Sequence, residues 1–155
     1  MELKFMKSAI KEAQKAKKND EVPIGAVITL NGKIIAKAFN NTEKTQLATA
    51  HAEILAINKA SKKLKSWRLD ECEMYVTLEP CPMCAGAIVN ARIKKLYFGA
   101  YELKSGGAQS KFNILSESGL NHKTEFEGGI MLDECSSMLK DYFKAKREKA
   151  KSKNI

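Results

Sequence analysis

No apolar run in this 155-residue chain approaches the ~18 residues that suggest a membrane span. The first residues, Met1-Glu2-Leu3-Lys4-Phe5-Met6-Lys7, hold no uninterrupted apolar stretch, so a secretory leader is not expected. The expected setting is therefore cytoplasmic, with no membrane partner. There is no internal repeat, low-complexity block or long linker, so one domain over 1–155 is expected, long enough to bury a sizeable core. Cysteine is sparse, at four residues, and in a reducing compartment these point to metal ligands or free thiols rather than a disulfide framework. Hydrophobic residues at 44% against 29% charged exclude a disordered chain.

What is abundant is positive charge. The formal net charge is +9, and residues 144–155 contain six basic residues and one acid. A concentrated basic end suits a polyanion such as nucleic acid, bound through its phosphates with release of counterions. A lysine-rich terminus also suits a merely solvated helix end, and charge alone does not separate the two.

Apolar spacing predicts the elements. Leu3, Met6, Ala9, Ile10, Ala13 and Ala16 give an amphipathic helix over 2–18. Val22–Leu30 and Lys33–Phe39 are strand-like, joined by Asn31-Gly32, a dipeptide that accepts positive φ in a tight hairpin. A polar loop, 40–46, leads to a helix from about Thr49–His51 to Leu64. A strand over Glu73–Leu78 precedes a helix opened by Pro80-Cys81-Pro82, and Pro82 suits a first turn. Further along come a strand at Lys95–Ala100, a loop over 104–110, a short helical piece over 111–118 and a strand at 123–127. The stripe Met131, Cys135, Met138, Leu139, Tyr142 marks a last long basic helix over about 130–153. Helices alternating with strands predict an α/β fold, and the opening hairpin makes its sheet mixed.

Two short motifs carry chemistry: His51-Ala52-Glu53, and Cys81-Pro82-Met83-Cys84. Cysteines at i, i+3 on a helix start converge on one face, where helix N–H groups favour thiolates. Alone the pair is ambiguous: it suits a catalytic metal, a thiol redox pair, half of a structural zinc site, or plain core thiols. His51 with Glu53 favours the first. Cys135 lies on an apolar stripe, Cys72 stands alone, and His122 is a poor fourth ligand, so three ligands remain and one position stays open. Zinc in such a site lowers the pKa of bound water towards ~7, and Glu53 is the expected proton carrier. Because residues i and i+2 lie about 200° apart on a helix, His51 and Glu53 can serve one centre only end-on. The expectation is two helix N-termini meeting at one metal, beside the strand ends that feed them.

These motifs resemble the His-x-Glu … Pro-Cys-x-x-Cys signature of the zinc-dependent nucleobase deaminases. Within that superfamily the chain is similar to the bacterial tRNA-specific adenosine deaminases, through Glu21–Val27, Thr49–Ile54, Tyr75–Ala87, Phe98–Ala100, Asn121-His122, Gly129-Ile130 and Asp133–Cys135. The resemblance implies a three-layer α/β/α fold around a mixed five-stranded sheet, cytidine deaminase-like. It implies one Zn²⁺ per subunit on His51, Cys81 and Cys84, with Glu53 catalytic. It implies Asn40 and Glu102 as substrate contacts, a homodimer, and the anticodon stem-loop of tRNA as partner, near the C-terminal helix. The implied reaction is hydrolytic deamination of the wobble adenosine to inosine; the alternative is a deaminase of free guanine, cytosine or a nucleoside. Tyr101-Glu102 stands where the family has Arg-Asp, and Gln109 where it has Gly.

Overall fold

Side-chain alternation along three central strands decides the layers. The computed structural model describes residues 1–117 and 119–153. In β1 (Gly25–Leu30), β3 (Cys72–Leu78) and β4 (Lys95–Ala100), successive residues point to opposite faces. Ala26, Ile28, Met74, Val76, Leu96 and Phe98 join one buried cluster, while Val27, Tyr75, Tyr97 and Ala100 join a second. The first face is covered by α3 (Ala52–Leu64), through Ala52, Ala56 and Ala60, and by α4 (Pro82–Asn90), through Ala85 and Ile88. The second is covered by α1 (Leu3–Lys18), through Phe5, Met6 and Ala9, and by α5 (Leu132–Lys153), through Cys135. This is the three-layer α/β/α arrangement implied by the resemblance.

The sheet has the order β2-β1-β3-β4-β5, with β2 spanning Lys33–Phe39 and β5 Glu125–Glu127. β1 runs antiparallel to β2 and β3, whereas β3, β4 and β5 are parallel. The sheet is therefore mixed. Asn31 at φ 51° and Gly32 at φ 75° make the hairpin turn as expected, with both residues on the positive side. Gly25 opens β1 hard against α1: a Cβ there would collide with the backbone of Ala9 and Ala13.

Several boundaries differ from the sequence reading. β1 starts at Gly25 rather than Val22, because Pro23 has no N–H for a ladder and the Glu21 side chain bonds elsewhere. The polar loop at 40–46 contains a single helical turn, α2 (Thr42–Thr45). The helical piece over 111–118 is reduced to a 3₁₀ turn at Ile114–Ser116, and Ser118 lies outside the described residues. Cys72 is not ahead of its strand but its first residue, paired with Leu30. The basic helix extends to Lys153; Asn154 and Ile155, the end of the basic run, lie outside the described residues. Among the described residues no helix is long and apolar enough to cross a membrane.

Candidate metal and catalytic centre

Two helix starts build the centre. His51 is the N-cap of α3, with extended backbone at φ −79°, ψ 150°, and Cys81 is the N-cap of α4 at φ −70°, ψ 171°. Neither side chain caps its own helix, so both are free to point off the end. Pro82 follows as the first helical residue, where its missing N–H costs no bond. Placing His51 at the cap and Glu53 in the first turn removes the 200° difficulty, because His51 is no longer on the helix. The ligand atoms of His51, Cys81 and Cys84 lie within 4.8 Å of one another, so the three could hold a metal ion. His51 Nδ1 stands 3.6 Å from Cys81 Sγ and 3.5 Å from Cys84 Sγ.

The site's electrostatics follow from burial and close packing. The hydrogen bond from Cys84 holds the Cys81 thiol down to about 4 against the opposing effect of burial, and His51 helps. The same contact pushes Cys84 up. The hydrogen bond to Cys81 raises His51. Burial pushes the Glu53 carboxyl up to about 7, with its own backbone N–H working the other way. A carboxyl that exchanges its proton near neutral pH is suited to carrying one.

A cavity of about 170 Å³ opens over these groups. It is lined by His51, Glu53 and Cys81, by Glu79, Glu102 and Ser105, and by Ile24 and Leu78. Its size is below the ~300 Å³ of a typical small-molecule pocket, so it suits a ring system rather than a whole nucleotide. Ile24, Leu78 and Glu102 also line a neighbouring cleft of about 370 Å³, which runs to Leu139, Lys140 and Phe143 on α5.

Of the residues singled out from sequence, the structure brings His51, Glu53, Cys81, Cys84 and Glu102 to one place. Asn40 sits behind them. It is buried, and its Oδ1 accepts the N–H of Ala52 at 3.2 Å, while the cavity wall is made by others. His122 lies apart, its Nε2 3.0 Å from the carbonyl of Ile93. Cys72 and Cys135 are buried thiols whose pKa burial raises to about 11 and about 12. Tyr101 packs edge-on against Phe98, with centroids 5.3 Å apart, and lies beside Gly128.

Among the buried carboxylates that sequence reasoning passed over, Glu21 and Glu79 each fix a loop. Glu21 accepts the N–H groups of Glu43 at 3.1 Å and Lys44 at 2.9 Å, and so fixes α2. Glu79 gathers donors from the loop 102–110 and lines the cavity. Burial raises the Glu79 carboxyl, but the bonds from Gln109, Ser110 and Glu102 outweigh it and leave the group below its ordinary value. The only local signal for Glu79 was an acid set between a buried strand and the cysteine helix.

Comparison with known proteins identifies the family. Residues 2–147 match the family described as MafB19-like deaminase. The tRNA-specific adenosine deaminase of Bacillus subtilis (strain 168) is 49% identical over 153 residues, covering 97% of this chain and 95% of that protein. That of Aquifex aeolicus (strain VF5) is 48% identical over 143 residues, covering 92% and 94%. A solved structure from work on A-to-I editing by tRNA:A34 deaminases at the wobble position superposes with a TM-score of 0.86 at 42% identity, covering 89% of this chain and all of that one. The chain belongs to the MafB19-like deaminase family and, within it, to the tRNA-specific adenosine deaminases.

Proposed function

We propose that this protein converts the wobble adenosine of a tRNA anticodon to inosine by hydrolytic deamination, with zinc held by His51, Cys81 and Cys84. The observation that carries the reading is the convergence of those three ligands on one point, with His51, Cys81 and a buried Glu53 on the wall of one small cavity, in a chain about half identical to named tRNA adenosine deaminases. The donor set supports zinc, since one imidazole and two thiolates with an open fourth position are a catalytic zinc set. So do the distances. Zn–S near 2.3 Å and Zn–N near 2.0–2.1 Å at tetrahedral angles put a sulfur and a nitrogen about 3.6 Å apart; the two His51 distances are 3.6 and 3.5 Å.

Zinc bound there supplies an activated water as nucleophile at neutral pH. Glu53 would take a proton from the attacking water and give it to ring nitrogen N1, then deliver the water's second proton to the exocyclic amine. The water oxygen would thereby replace the amine on carbon 6, and ammonia would leave with inosine as product. Water is consumed and no redox partner is needed. The base must leave its stack to enter, which costs least in an anticodon loop, where it is unpaired. Glu102 and Asn40 are assigned to the nucleotide, Glu102 from the cavity wall and Asn40 from behind the α3 start. The basic run on α5 is assigned to RNA phosphates, because α5 already lines the adjoining cleft.

The same reading takes 1–155 as one domain, supported by two core clusters on the two faces of a single sheet. It includes a cytoplasmic setting, where tRNA is found, and a homodimer with one zinc per subunit.

The deciding experiment supplies zinc-loaded protein separately with an anticodon stem-loop RNA and with free guanine, cytosine and adenosine. Inosine in the RNA and little ammonia from the free compounds is the expected result. Ammonia from a free base with unchanged RNA overturns the assignment in favour of a small-molecule deaminase.

A further inference from the structure

The carboxylate of Glu79 is one of the most heavily hydrogen-bonded side chains described. Its Oε1 accepts the N–H of Glu102 at 3.1 Å and the hydroxyl of Ser110. Its Oε2 accepts the N–H groups of Ala108 at 3.1 Å, Gln109 at 2.9 Å and Ser110 at 3.0 Å. Four backbone donors turned inward form a nest of the kind that binds anions, and here the anion is a side chain brought from the end of β3. The loop also fits the cysteine segment closely. Gly107 donates to the carbonyl of Pro80 at 2.7 Å. A Cβ at Gly106 would stand 2.5 Å from the Glu79 carboxyl, so only glycine lets the chain close around it.

This loop supplies Glu102 and Ser105 to the catalytic cavity. Its anchor, Glu79, is joined through Pro80 to Cys81, so the cavity wall and a metal-ligating residue share one short stretch of backbone. We propose that Glu79 is a positioning residue for the RNA substrate: its carboxylate folds the loop 102–110 into the wall that Glu102 and Ser105 present to the nucleotide. The inference rests on reading the cavity as the site of RNA adenosine deamination. It also accounts for a departure from the family pattern. Gln109 gives the nest only its backbone N–H and leaves its side chain exposed, so Gln in place of Gly keeps the wall intact.

Glu79→Gln tests this, because one carboxylate oxygen becomes an amide that cannot accept the loop N–H groups. Ser110→Ala removes a single donor as a milder companion. Zinc content, amide hydrogen exchange and steady-state inosine formation on anticodon stem-loop RNA are measured for both. In Glu79→Gln, zinc per chain and protection of β3 amides stay at wild-type levels, while the amides of Ala108, Gln109 and Ser110 exchange at least about tenfold faster. KM for the RNA rises by about tenfold, more than kcat falls, as expected when a substrate-positioning group is displaced. Ser110→Ala moves KM and exchange in the same direction by less. Unchanged protection of residues 108–110, an unchanged KM with the loss confined to kcat, or loss of zinc overturns the proposal. Should Glu79→Gln not fold, Ser110→Ala decides, and a wild-type KM for RNA overturns it. Wild-type protein that makes no inosine in RNA sinks the functional reading instead, while the exchange measurement still tests the loop.

Discussion

The side-chain oxygen of Asn40 accepts the backbone N–H of Ala52 at 3.2 Å, which clamps the end of β2 to the peptide between His51 and Glu53. A residue assigned to the nucleotide from resemblance thus also fixes the helix start that carries His51 and Glu53. Its oxygen faces the protein, and the proposed contact with the nucleotide would fall to the amide nitrogen.

Asn40→Asp keeps the oxygen and loses the amide donor, whereas Asn40→Ala loses both. Unfolding by denaturant is expected to show Asn40→Ala less stable by about 1 kcal/mol, the usual worth of a cap-like bond, and Asn40→Asp less affected. Both variants raise KM for RNA. Equal destabilisation by the two would mean the bond to Ala52 is not what the side chain contributes.

Glu53→Gln removes the proposed proton carrier with little change of shape. Metal analysis is expected to find zinc retained, while inosine formation falls by about 10²–10⁴, the range typical for general acid–base groups. Near-wild-type turnover would remove Glu53 from the mechanism.

Thiol labelling separates the cysteines. After chelation, an alkylating reagent at pH 6 is expected to modify Cys81, whose pKa is held down to about 4 and which is therefore a thiolate above that pH. Cys72 and Cys135, raised by burial to about 11 and about 12, stay protonated and unlabelled even at pH 8. Restoring zinc protects Cys81. Peptide mass mapping reads all three sites, and labelling of Cys135 ahead of Cys81 in folded protein contradicts the assignment.

Gly25→Ala forces a methyl into the backbone of Ala9 and Ala13. Overpacking of this kind costs typically about 1–3 kcal/mol, so a lowered unfolding midpoint is expected with zinc stoichiometry preserved in the folded fraction. A stability equal to wild type would mean that α1 stands further from the sheet.

Replacing Lys149, Lys151 and Lys153 by Ala leaves the catalytic cavity untouched. If the basic run meets RNA phosphates, KM for full-length tRNA rises and its dependence on salt becomes shallower, by about 0.7–0.9 in the log–log slope for each phosphate that is no longer neutralised. An unchanged slope assigns the run to solvent.

Local rules made some features legible in the sequence. Asn31-Gly32 specified its hairpin because few residues accept positive φ twice in succession, and the structure has φ 51° and 75° there. The 3.6 and 2.0 periodicities located α1, α3, α4 and the central strands within a few residues. His51, Glu53, Cys81 and Cys84 announced themselves by residue type and spacing, and the end-on meeting of two helices followed from helix geometry alone. Short elements were less legible: a four-residue α2 and a three-residue 3₁₀ turn carry too few residues to show a period.

The candidate ligand residues, the elements and the mixed character of the sheet were therefore legible in the sequence itself, because residue type, spacing within one turn and the single hairpin carry them. The order β2-β1-β3-β4-β5 was decided only in three dimensions, since strand pairing joins residues far apart in the chain. So were the work of Glu79 and the second role of Asn40. Their partners are backbone N–H groups 23 to 31 residues away for Glu79, and 12 away for Asn40. Every non-proline residue carries such a donor, so side-chain identities do not reveal which ones a buried carboxylate will meet; only the folded backbone does.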